Sequence, residues 1–279
     1  MLVSHIIDLL PIWVLFLGTV LLMVFSIEFG FRLGKRAQLD AKKAQTSQVR
    51  AIMGAGLGLL AFMLAFTFST AQSHFEARVQ NLAEEARIAR NAFMQSDLLQ
   101  EPERSQVKML LKEYIDLRSY KRDFPDLDIA DGIAELIRLS EETQKQLWML
   151  AANSRGQGAE NEVGTKQNEM FMASVLALTD IHFARVHSAI MNRIPITIWV
   201  TLYLMAVLSM IIMGYQAGLT DRRSPVATIT LAVAFSAVII LITDLDRPVM
   251  SFFEINNQLL VDLDDYMQAD LKLQHIPGD

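Results

Sequence analysis

Four long stretches of this chain carry no Asp, Glu, Lys or Arg: residues 9–27, 51–71, 194–219 and 224–243. About 20 apolar residues at 1.5 Å rise cover the roughly 30 Å hydrocarbon layer of a bilayer, so each stretch is long enough to cross it. In lipid the backbone must satisfy its own hydrogen bonds, so a span of this length is a helix. No run alternates with period two over a useful length, and strands are therefore not expected. The sequence predicts an all-α integral membrane protein with four transmembrane helices and an extramembrane helical bundle rooted in the membrane. Its expected organisation is a first hairpin over residues 1–71, a bundle over 72–193, a second hairpin over 194–243 and an acidic amphipathic tail over 244–279. The N-terminal apolar run is long, has no basic residue before it and lacks a small-x-small cleavage site, so it reads as a retained span.

Charge assigns sides. Residues 28–50 hold Arg32, Lys35, Arg36, Lys42, Lys43 and Arg50 against Glu28 and Asp40, and the turn between the last two spans reads Asp221-Arg222-Arg223. Positive-inside reasoning places both short loops in the cytoplasm, with both termini and the 72–193 bundle on the periplasmic or outer side. The net charge of −6 argues against nucleic acid, which selects basic surfaces. There is no cysteine, so disulfides, thiolate metal sites and thiol nucleophiles are excluded.

The second span is predicted to continue far past the membrane. Gly54, Gly58, Ala61, Ala65, Phe68, Gln72, Phe75, Val79, Leu82, Ala86, Ala89 and Phe93 recur at alternating spacings of four and three, a heptad seam that crosses residue 71 in register. No Pro or Gly interrupts residues 59–99, so residues 51–99 read as one helix. Small seam residues in its membrane half, including Gly54-x-x-x-Gly58, suit close packing in lipid. Further helices are expected over 105–121 and 129–152, with a glycine-containing loop over 153–164. Another is expected from a cap at Thr165 toward Arg193, and a short amphipathic one carries Leu259, Leu263, Met267 and Leu271.

A second stripe on the second span, Leu59, Phe62, Phe66, Ser69 and Ser73, is a pore-lining candidate. Apolar rings at Leu59, Phe62 and Phe66 would form a dewetting constriction, and the Ser69 and Ser73 hydroxyls a wetter vestibule. The same phenylalanines also suit lipid or a neighbouring span. At the end of the fourth span, Asp244, Asp246 and Arg247 sit where hydrocarbon gives way to headgroups, a costly depth unless the groups are paired or hydrated. They read as an ion-pair latch, Asp246 with Arg78 or Arg185, or as charge around a pore mouth. Gly54-Ala55-Gly56-Leu57-Gly58 follows no strand and has no Lys-Ser/Thr after it, so helix contact is the better reading than a nucleotide loop. The histidines (His5, His74, His182, His187, His275) form no His-Glu-x-x-His pattern, and His182 reads as a core histidine. No metal site, cofactor or enzyme activity is expected.

Several segments resemble a family of bacterial bestrophin-like membrane proteins. They are Gly58-Leu59-Leu60-Ala61-Phe62 through Phe66-Thr67-Phe68-Ser69, His74-Phe75-Glu76-Ala77-Arg78, Glu84-Glu85-Ala86, 110–118 (Leu-Leu-Lys-Glu-Tyr-Ile-Asp-Leu-Arg), Asp180 with Arg185, Ile194-Pro195 with Trp199, and Leu245-Asp246-Arg247-Pro248. This chain departs from that pattern at Arg87, Arg90 and residues 250–253. The resemblance implies an oligomeric channel-like protein of the bacterial inner membrane passing small inorganic ions, pentameric by analogy. A dimeric, non-conducting assembly or sensor protein is the alternative.

Overall fold

In a computed structural model the chain is helical throughout its regular structure, and the structure describes residues 10–37, 43–119, 129–157, 162–190, 192–220, 224–247 and 257–274. Among the described residues there are eight α-helices and no strand. They are α1 (Ile12–Ala37), α2 (Lys43–Gln95), α3 (Glu103–Arg118), α4 (Ile129–Gln157), α5 (Glu162–Ile190), α6 (Ile196–Thr220), α7 (Pro225–Asp246) and α8 (Gln258–Gln274), with a 3₁₀ turn at Ser96–Leu98. Prolines set three of the starts. Pro11, Pro195 and Pro225 stand at or just before the first turn, where a missing N–H is no loss. Accordingly Val14 N and Ile198 N close first turns on the carbonyls of Pro11 and Pro195, both at 2.9 Å.

Helices α1, α2, α6 and α7 are the four that are long and apolar enough to cross a membrane. The α2 helix is unbroken at Gln72, as expected, and extends beyond the expected start, to Lys43. Two boundaries differ from expectation. The α4 helix runs to Gln157 and α5 already begins at Glu162, so neither the expected loop from residue 153 nor a cap at Thr165 is found. Glycine costs only about 1 kcal/mol in a helix interior, and the flanking turns carry Gly156 and Gly164 into helix. Residues 158–161 of that loop, the 221–223 turn, Pro248, residues 250–253, His5 and His275 lie outside the described residues.

The chain divides into two compact units, residues 1–76 with 192–254 and residues 77–191 with 255–279. In the first, Met23 and Ile27 of α1, Leu60, Leu64 and Ala71 of α2, Leu202, Ala206 and Met210 of α6, and Ala232, Ile239 and Ile242 of α7 form one buried cluster. Its tightest contact joins α1 to α6. A Cβ on Gly30 would stand 2.0 Å from the Ile211 carbonyl oxygen, and one on Gly34 would stand 2.2 Å from that of Tyr215. From the other side, a Cβ on Gly214 or Gly218 would stand 2.0 Å from Ile27 O or 2.4 Å from Phe31 O. Two reciprocal Gly-x-x-x-Gly pairs therefore let the backbones touch, the packing that lipid favours where apolar burial gives no drive. Between 17 and 28% of the apolar window of each spanning helix is buried in the chain. The rest is bare apolar surface, including Trp13, Leu17, Phe25, Phe29, Val200 and Leu204, and water would not stabilise it.

The second unit closes around Leu82, Ala89 and Phe93 of α2, Leu111, Tyr114 and Ile115 of α3, Leu147 of α4, Phe171, Val175 and Leu178 of α5, and Leu260, Leu263 and Met267 of α8. Helix α8 is also clamped by charge. Lys108, fully buried, donates to Asp270 at 2.7 Å, lies 2.6 Å from Asp97 and stands 4.8 Å over the Phe93 ring. Lys112 lies 3.5 Å from Asp264. Burial works against the Lys108 charge, but the two carboxylates outweigh it and raise its pKa.

Candidate functional site

The α2 helix presents two faces along its spanning part. One is buried: Leu60, Leu64, Thr67 and Ala71 are each no more than 5% exposed. The other is bare: Leu59, Phe62 and Phe66 are 50, 65 and 58% exposed, and Ser69 and Ser73 are exposed in the same 3–4 register. All five pore-lining candidates thus share one strip that none of the described helices covers.

The expected packing seam lies beside it. Gly54, Gly58, Ala61, Ala65 and Val79 are exposed, Phe75 is half-buried and Leu82 is buried. Among the described residues, nothing beyond the local turns of α2 itself lies within 4 Å of a Cβ built on Gly54 or Gly58. Within the chain the seam of the span runs one residue earlier than these positions, on Leu60, Leu64, Thr67 and Ala71. Ala61 and Ala65 instead line an apolar groove of ≈ 500 Å³ with Leu231, Ala234 and Val238 of α7.

At the end of α7, Asp246 accepts the Ile194 backbone N–H at 3.0 Å and lies 3.9 Å from His74 Nδ1. Arg247 is buried and donates to the Leu10 carbonyl at 3.1 Å, and Asp244 is also buried. These bonds fix the strands of chain entering α1 and α6 to the end of α7. Arg185, offered by the sequence as a partner for Asp246, gives its guanidinium to Glu85, and Arg78 is buried on α2.

Glu85 is the centre of the second unit, with no exposed surface. Its Oε1 accepts from the Tyr114 hydroxyl and from Arg118 Nε at 3.0 Å, and its Oε2 accepts from Arg185. Burial alone would raise its pKa, but Arg118 and Arg185 reverse that and hold it at about 2. Because the Tyr114 hydroxyl donates its hydrogen bond to Glu85, its oxygen is left to accept from His182 Nδ1, 3.3 Å away. That assigns the Nδ1–H tautomer and leaves the buried Nε2 lone pair with no hydrogen-bond partner among the described residues. Burial first, and then the Arg118 charge, lower the His182 pKa to about 4, so the ring is neutral at pH 7. One carboxylate therefore ties α2, α3 and α5 together through two guanidiniums and a phenol. It offers no nucleophile, and among the described residues no cluster of His, Asp and Glu is placed to hold a metal ion.

A family model described as the bestrophin-like domain matches residues 17–258. The chain belongs to the bestrophin-like family. Two solved structures share the fold of this bestrophin-like protein. One is described only as a membrane protein (TM-score 0.65, 13% identity, covering 93% of this chain and 98% of its own). The other is a bacterial bestrophin homologue from Klebsiella pneumoniae (TM-score 0.64, 13% identity, covering 94% of this chain and 98% of its own). No curated protein matches. From the bestrophin-like motifs, Glu85, Tyr114, Arg118 and Arg185 turn out to be the parts of one buried cluster. Read one by one they resemble solvated charges, and only the buried side of each helix reveals that they converge. The glycine pairs of α1 and α6 carry the same Gly-x-x-x-Gly spacing as Gly54 and Gly58, so spacing alone does not distinguish the pairs in backbone contact from the exposed one.

Proposed function

We propose that this bestrophin-like protein is an oligomeric channel that passes small inorganic ions, with the α2 strip lining the pore. The observation that carries this reading is the exposure of Leu59, Phe62 and Phe66 along a helix whose opposite face is fully packed. Strictly repeating apolar positions at 3–4 spacing, uncovered among the described residues, suit a ring of identical helices around an axis. Three bulky apolar levels would dewet a narrow pore and set its gate, and Ser69 and Ser73 would hold water beyond it. Gly54, Gly58, Ala61 and Ala65, exposed on the flank of that strip, suit close contact with the adjoining subunit. In this proposal the ring is a pentamer by family analogy. The chain lies in the bacterial inner membrane, with both termini and the 72–193 bundle on the periplasmic side.

Purified protein in liposomes tests the reading. Wild type passes ions, and Phe62→Ala and Phe66→Ala raise the flux by widening the dewetted segment. Absence of wild-type flux, with both variants equally silent, rejects it. The second reading, a non-conducting assembly or sensor protein, draws support from the single unbroken α2 helix, which is suited to carrying a rotation or shift along its length. Particle symmetry separates the two: a ring with α2 innermost favours the channel, and a two-fold dimer without an axial path favours the sensor.

A further inference from the structure

The exposed strip on α2 does not end at Ser73. Its next position in the same register is Glu76, which is also exposed. Among the positions 59, 62, 66, 69, 73 and 76 it is the only charged residue. Gln72 Nε2 donates to Glu76 Oε1 at 2.8 Å. A neutral amide one turn back orients the carboxylate and leaves its charge intact. Among the described residues no lysine or arginine forms an ion pair with it.

The strip continues through Gln80, Ala83, Arg87 and Arg90, all exposed, and its positive charges are differently placed. Arg87 is bound by Glu84 through Nε at 2.8 Å, so its charge is matched locally. Arg90 lies over the Tyr266 ring, 5.7 Å from its centroid. It is fourteen residues beyond Glu76, about 21 Å at helical rise, which is more than two Debye lengths at physiological salt. Glu76 is only ten residues from Phe66, about 15 Å by the same rise. Along this strip the unmatched charge nearest the apolar constriction is therefore negative.

We propose that Glu76 determines ion specificity: one carboxylate per subunit forms an acidic ring at the wide end of the constriction and selects small inorganic cations over anions. The proposal rests on the channel reading above. Rings of carboxylates enrich cations at a pore mouth and raise their entry rate.

Bi-ionic measurements across planar bilayers containing the full-length protein test this with potassium chloride gradients. Wild type should prefer potassium over chloride. Glu76→Gln, an isosteric change at an exposed position that keeps the Gln72 hydrogen bond, should lower that ratio roughly threefold or more. Glu76→Asp should preserve it, and Glu76→Lys should reverse it, whereas Arg90→Gln should leave it in place. Chloride preference in wild type overturns the proposal while the channel reading stands. So does a potassium preference that survives Glu76→Gln, or one that moves with Arg90→Gln alone. Absence of any wild-type current removes the channel reading and this proposal with it.

Discussion

Replacing Glu85 by Gln should destabilise the second unit without altering its shape. The side chain has no exposed surface, and its pKa falls from the ordinary 4.5 to about 2 because two guanidiniums outweigh burial. At about 1.4 kcal/mol per pH unit, that difference corresponds to about 3 kcal/mol of stability at neutral pH. Removing one member of a buried ion pair gives a similar figure, about 3–5 kcal/mol, because Arg118 and Arg185 lose the carboxylate between them. With roughly 3 °C per kcal/mol for chains of this size, Tm should fall by about 10 °C. The assay is thermal unfolding in detergent, followed by circular dichroism across a pH series. The folded pKa is depressed, so the contribution is complete above 4.5 and is lost as pH falls toward 2. The variant should therefore show no further loss over that window, whereas the parent should. Glu84→Gln, one residue away but solvent-facing opposite Arg87, should leave Tm where it is. A drop under about 3 °C at pH 7, or parallel acid curves for parent and Glu85→Gln, would refute the account of this cluster.

Further outcomes follow from other contacts. The neutral His182 ring, its pKa lowered to about 4, makes the fold lose stability as pH falls from 6.5 toward 4; His182→Gln should flatten that part of the pH–Tm curve. Gly30→Val or Gly214→Val places side-chain atoms inside 2.0 Å of a facing carbonyl, so either should abolish folded yield on size-exclusion chromatography, whereas Gly54→Val or Gly58→Val should leave the monomer fold intact. Lys108→Met should free α8 while the rest stays folded, seen as faster hydrogen exchange over residues 258–274, with a loss of about 1–3 kcal/mol in local protection.

Much of the architecture is legible because lipid imposes it. An uncharged stretch of 20 residues has few alternatives to a spanning helix, and the lack of Pro and Gly over residues 59–99 foretells that α2 passes Gln72 unbroken. What periodicity does not give is the absolute rotation of that helix. Apolar residues surround the span on every side, so the expected seam at Gly54, Gly58, Ala61 and Ala65 and the packed seam at Leu60, Leu64, Thr67 and Ala71 differ by one residue, or 100°. Beyond the span, Leu82, Ala89 and Phe93 lie in the core of the second unit, whereas Val79 is exposed. The Glu85 cluster is hidden for a related reason: Tyr114, Arg118 and Arg185 lie 29 to 100 positions from Glu85, and the charged members look like ordinary surface charges until the helices are assembled.

The glycine contact between α1 and α6 has a consequence for how the chain is made. Gly30 and Gly214 are 184 positions apart, so at about 5–20 residues per second the ribosome needs roughly 10–40 s after completing the first span before its mate emerges. Throughout that interval the notch at Gly30 and Gly34 stands open to acyl chains or to the insertion machinery. A newborn first span thus waits for a late partner, and slowing translation between the two should lengthen its exposure to membrane proteases.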